Sequence, residues 1–163
     1  MFIAGVIGAA AAGWASDHFF DARRGPTVAL LYGLATTAAV GMFLTIAGMP
    51  TQTCLFGIII VMTAFGVHGL LSGTATADFG GENTGVVTGI VDGMVYLAVG
   101  FQFWFVGHFI APAGAAKAIS GNWDMWPVFQ GVFAVAATLL AIKIWNEKPK
   151  PKTAPATAEP AEV

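Results

Sequence analysis

The sequence predicts an all-α integral membrane protein, with four full transmembrane helices preceded by a shorter N-terminal one. Three observations carry that prediction. Of the 163 residues, 56% are hydrophobic and only 10% are charged, where a soluble domain carries about 25% charged residues. Long stretches hold no Asp, Glu, Lys or Arg, the longest being residues 25–77. Glycine, at 21 residues, is abundant in the way that closely packed membrane helices require. Too few polar side chains are present to cover the chain against water. A soluble enzyme, a nucleic-acid binder and a disordered polypeptide are therefore excluded as readings of the whole chain. Seven Lys+Arg against nine Asp+Glu give a net charge of -2 and no basic patch for a phosphate backbone. The single cysteine, Cys54, leaves no internal disulfide and no cysteine-based metal site.

The elements follow in order. Residues 1–16 carry no charge, but at 1.5 Å per residue they reach only about 24 Å, short of the roughly 30 Å of hydrocarbon in a bilayer. They lack the positive n-region of a signal peptide. The segment over about 1–20 is expected to be the end of a helix that begins outside this chain. The charge-free run 25–77 is too long for one crossing and divides at the polar turn 48–53, giving helices over about 27–48 and 54–77. A second run, 93–116, stops at Ala111-Pro112-Ala113-Gly114 and supplies a helix over about 85–110. The last span covers about 125–145. Residues 146–163 are rich in Pro, Ala and charge and read as a disordered tail.

Arg23, Arg24, Lys148, Lys150 and Lys152 all fall on one side of this topology, and only Lys117 falls on the other. The positive-inside rule then makes that side cytoplasmic. The expected setting is the inner (plasma) membrane of a cell, crossed several times, with a cytoplasmic tail. The acidic turn at 78–83 dissents mildly, although acidic residues weigh little in the rule.

The segment Gly13-Trp14-Ala15-Ser16-Asp17, followed by Arg23-Arg24-Gly25, resembles the cytoplasmic signature loop of the major facilitator superfamily. It is similar to the form between spans eight and nine of the organophosphate:phosphate antiporters, the family of the glycerol-3-phosphate and hexose-phosphate carriers. Residues 73–81 and 88–93 are similar to the passage from span ten to span eleven, and Trp126-Pro127-Val128-Phe129 resembles the opening of span twelve. The resemblance implies a partial major-facilitator C-terminal bundle, from the end of span eight through span twelve. It further implies a secondary transporter that moves a small organic anion, a sugar phosphate or glycerol phosphate, in exchange for phosphate by alternating access. The family's phosphate site uses arginines in spans one and seven. Arg23 and Arg24 are the only arginines here and both lie in the loop, so the missing N-terminal half becomes an expected partner, alongside the lipid bilayer and the anionic substrate. The resemblance gives Asp17, Arg23 and Arg24 the role of a latch that opens during transport; the alternative is that the arginines only anchor the loop. Small Gly13 is expected to let the inner helix ends approach. Asp17 is expected to accept hydrogen bonds from a neighbouring helix N-terminus.

Ionisable groups inside a span are costly and mark functional candidates. Asp92 lies near the middle of its span. Gly85, Gly89, Gly93 and Tyr96 fall on the same side of the helix, so the glycines form a packing ridge and Asp92 is expected to face the bundle. It is either a residue of the substrate path or a buried Asp hydrogen-bonded to Tyr96 or a neighbouring helix. His68, followed at four-residue steps by Ser72 and Thr76, either lines a water-filled path or packs, with the hydroxyls bonded back to their own helix. The substrate-path candidates are thus His68, Ser72, Asp92 and Tyr96. No G-x-S-x-G, H-E-x-x-H or P-loop pattern occurs, so no enzyme, metal site or cofactor is expected. A second reading is a small stand-alone helical membrane protein, a structural or regulatory subunit.

Overall fold

The computed structural model describes residues 2–111 and 121–148, and among them no strand occurs. Helix α1 spans Phe2–Phe19, α2 Arg24–Thr45 and α3 Pro50–His68. α3 continues through a π-helical segment, Gly69–Ala75, into α4, Thr76–Gly80. A 3₁₀ turn, Gly81–Asn83, leads to α5, Thr84–Phe105, which ends in a second π segment, Val106–Ile110; α6 is Met125–Lys143. The expected helix stop at 112–114, Lys117, Lys150, Lys152 and the tail from 149 lie outside the described residues.

Among the described residues, three stretches are long and apolar enough to cross a membrane: Arg24–Thr45, Pro50–Ile110 and Met125–Lys143. The middle one has 61 residues and would reach about 90 Å if straight. Instead it folds back at Gly81, whose φ of +53° and ψ of -128° no ordinary helix continues through. Two helix starts differ from expectation. α3 begins at Pro50 rather than near 54, because a proline in the first turn forfeits no hydrogen bond. α2 begins at Arg24 rather than 27, because that side chain is held by partners across the turn.

α2 is the centre of the bundle, packed lengthwise against α3 on one side and α6 on the other, with α1 on the far side of α3. Small residues set the closest approaches, as packing between apolar helices demands. A methyl group on Gly8 would sit 2.2 Å from the Met62 carbonyl oxygen, and one on Gly25 would sit 2.4 Å from that of Ile144. Around these contacts Ala12, Val28, Ala29, Val67, Leu70 and Ala141 form one buried cluster. A second, Ala38, Ala39 and Ile60, is flanked by Phe56 and Trp126.

Gly13 does not make the approach expected of it, since a methyl there would meet open space. The same holds for Gly85, Gly89 and Gly93, and no residue of α5 is buried. The reason is rotational. Gly85, Gly89 and Gly93 lie about 20°, 60° and 100° round the helix from Asp92, whereas Val95 and Gln102 lie about 60° and 80° the other way. The bundle takes the second side, so the glycine ridge faces outward.

These spacings fix a paired outcome. Gly8→Ala forces α1 off the α3 backbone and is expected to cost about 1–3 kcal/mol. Gly13→Ala meets nothing and is expected to be neutral or to gain up to about 1 kcal/mol of helix propensity. Thermal unfolding in detergent checks both; equal losses would contradict the packing described.

Candidate functional site

Two polar arrangements stand out in an otherwise apolar bundle. The first lies at the end where α1 turns into α2. Arg24 is 8% exposed and cannot shed its charge, so it requires anionic partners. Its Nη1 donates to Asp17 Oδ1 at 2.5 Å and to Ser16 Oγ at 3.0 Å, and its Nε donates to Asp78 Oδ2 at 2.9 Å. One guanidinium thereby ties the end of α1, the start of α2 and α4 together. Asp17 accepts from this side chain rather than from the backbone of a helix N-terminus. Arg23 takes no part; its Nε donates to the Phe20 carbonyl at 3.1 Å and so closes the C-terminal end of α1.

The turn itself is strained. Asp21 and Ala22 hold φ of 54° and 58°, a region that ordinary L-residues enter at a cost of roughly 1–2 kcal/mol. The Ala22 amide donates to the Ser16 carbonyl at 3.1 Å, and Ser16 Oγ donates to the Arg23 carbonyl at 3.4 Å. Outside the turn, Lys148 Nζ donates to Asp21 Oδ2 at 2.9 Å, and this bond together with the lysine's charge lowers the Asp21 pKa from its ordinary 3.8. Both side chains are well exposed, so the pair adds little stability.

The second arrangement is a cleft between α2, α3 with its π segment, α5 and α6. Two adjoining hollows of about 330 and 340 Å³ share Tyr32, Gln102 and Gln130 on their walls, and the first also meets His68 and Ser72. Within the hairpin that folds at Gly81, Ser72 Oγ donates to Asp92 Oδ1. Thr76 bonds back to its own helix, to the Ser72 carbonyl at 2.6 Å, but Ser72 does not. The π segment around Ser72 is the kind of helix irregularity that often accompanies function.

Of the sequence-predicted path residues, the structure pairs Ser72 with Asp92 and sets an exposed His68 on the same hollow as Ser72. Tyr96 is 74% exposed and lies on the outward glycine face, away from the cleft. Four contributors were not anticipated, Tyr32 on both hollows among them. Asp78 was read only as part of an acidic turn, yet it shares the Arg24 end of the bundle and offers the carboxylate a buried arginine needs. Gln102 and Gln130 are uncharged, so a search for ionisable groups passes over them; two carboxamides within apolar spans were the available signal. Among the described residues no three His, Cys, Asp or Glu side chains gather as a metal site would require.

The chain matches no protein-family model, no curated protein and no solved structure.

Two outcomes follow from the geometry. Ser72→Ala leaves the Asp92 carboxyl without its partner and is expected to lower stability by about 1–2 kcal/mol, while Tyr96→Phe leaves it unchanged; an unchanged Ser72→Ala transition would contradict the Ser72–Asp92 bond. For Asp21, a lowered folded pKa means that its contribution is present above the unfolded value and fades as pH falls through the folded one. Lys148→Ala is expected to return the Asp21 midpoint, followed by carboxyl carbon NMR, toward 3.8; no movement would show that the lysine does not reach it.

Proposed function

We propose that this chain forms part of a secondary active transporter in a cell's inner membrane, carrying a small organic anion such as a sugar phosphate or glycerol phosphate by alternating access, in exchange for phosphate. The observation that supports the reading most is the cleft: partly open, bounded by four apolar helices, and edged with Tyr32, Gln102 and Gln130, whose side chains bond to no described residue. A transporter needs such a wall near the bilayer midplane, whereas a purely structural bundle gains nothing from it. The Arg24 cluster suits the latch role that the signature-loop resemblance implies, since it joins three helical segments through bonds that can open together. In this reading the chain supplies one wall of the path and one inner latch. The arginines that hold the phosphate are supplied by the preceding spans.

The outward face of Gly85, Gly89 and Gly93 favours a second reading, a helical subunit that uses this face to assemble with itself or a partner. A stable homo-oligomer in mild detergent would support it.

The test is exchange of labelled phosphate against hexose phosphate in vesicles. Reconstituted with the first seven spans of an organophosphate antiporter, the chain is expected to restore exchange, and alone it is expected to give none. Failure in both arrangements would overturn the transporter reading, and uptake by the chain alone would overturn its dependence on the other spans.

A further inference from the structure

The cleft is mainly apolar, and the polar side chains on its walls carry no permanent charge. Among the described residues no arginine, lysine, aspartate or glutamate lines either hollow. Tyr32, His68, Gln102 and Gln130 make no side-chain hydrogen bond to any described residue, and Ser72 retains free lone pairs after donating to Asp92. Polar groups left dry in such a wall would each cost about 1–3 kcal/mol, so they hold water or a ligand.

Their chemistry selects which ligand. Each glutamine offers two donors and a carbonyl acceptor, and the tyrosine and serine hydroxyls both donate and accept. A hydroxyl group also does both, and so satisfies amide nitrogen and amide oxygen alike. A phosphate dianion only accepts; it would leave the carboxamide oxygens facing negative charge and would lose its hydration with no arginine or lysine there to replace it. Neither of the chain's two arginines lines this wall, and Arg24 is committed to Asp17 and Asp78. The remaining surface includes Phe101, Phe129 and Phe133, whose rings suit the C–H face of a sugar or the carbon chain of a polyol. A hollow of 330 Å³ sits at the small end of the roughly 300–1,000 Å³ typical of small-molecule sites.

From this we infer that the cleft binds the neutral, hydroxyl-bearing part of the substrate, a sugar or polyol moiety, and not its anionic group. The inference deepens the transporter reading and rests on it for the word substrate. Gln102 and Gln130 carry the recognition, and the phenylalanines supply the apolar face.

Saturation-transfer NMR on the whole chain in lipid nanodiscs tests it, with glucose, glucose 6-phosphate and inorganic phosphate as probes. Both sugars are expected to receive saturation at their ring protons, and phosphate is expected not to displace glucose. The double variant Gln102→Leu with Gln130→Leu is expected to lower the glucose signal at least fivefold with helical content unchanged. The single variant Gln130→Met, which keeps the side-chain length, is expected to lower it at least twofold should the double variant not fold. No transfer to either sugar, displacement of glucose by phosphate, or full binding by the glutamine variants would each overturn the inference. Loss of sugar binding with intact vesicle exchange would sink this inference alone, whereas sugar binding without exchange would sink the transporter reading.

Discussion

A buried guanidinium that cannot lose its proton sets the terms for one whole end of this bundle. Arg24 occupies the first position of α2, where the helix dipole disfavours a cation, and Asp17 occupies the last turn of α1, where it disfavours an anion. Each residue is poorly placed by its own helix, and each is stabilised by the other across a short turn. Asp78 from α4 completes the arrangement at 2.9 Å. Because Asp78 lies just before the reversal at Gly81, holding it also fixes where the long helical hairpin turns. The two left-handed residues Asp21 and Ala22 are the local strain that brings α1 and α2 close enough for this, strain of a kind that persists only where surrounding contacts over-determine it.

The cleft follows from what this tie leaves free. α1, α2, α3 and α6 pack through alanine and glycine and bury the two apolar clusters. α5 buries nothing and is held at only a few points. Near its middle the Asp92 carboxyl accepts from Ser72, and at its end Phe105 stacks on Phe129 with ring centroids 4.4 Å apart. Between these points it stands off from α3, and the gap is where Tyr32, Gln102 and Gln130 find no protein partner. The outward glycines of the same helix allow a further helix to approach it closely.

Much of the helical architecture is legible in the sequence, because a charge-free run of 20 residues or more has few alternatives to a membrane-compatible helix. The meeting of Ser72 with Asp92 is legible in part, since Asp92 was expected to bond Tyr96 or a neighbouring helix, and a hairpin turning near 81 sets residues on its two arms side by side. The rotation of α5 is not. A stripe of glycines at four-residue spacing says that a helix can pack closely, but it does not say whether this chain supplies the partner. Asp78 escaped for a different reason: a topology rule that counts lysine and arginine gives little weight to acids, although the burial of Arg24 is what gives that acid its task. The glutamines escaped because their cost in a span comes from hydrogen bonding rather than charge. The π segments, which follow no pattern of residue types, were not foreseeable at all.

The tie at Arg24 is tested most directly by a double-mutant cycle joining Arg24→Gln and Asp78→Asn, read by thermal unfolding in detergent. The two groups meet at 2.9 Å with little exposure, so a coupling energy of about 1–3 kcal/mol is predicted. A coupling near zero, with the two losses simply adding, would mean that the helical segments are held by their apolar contacts alone and that Arg24 organises nothing.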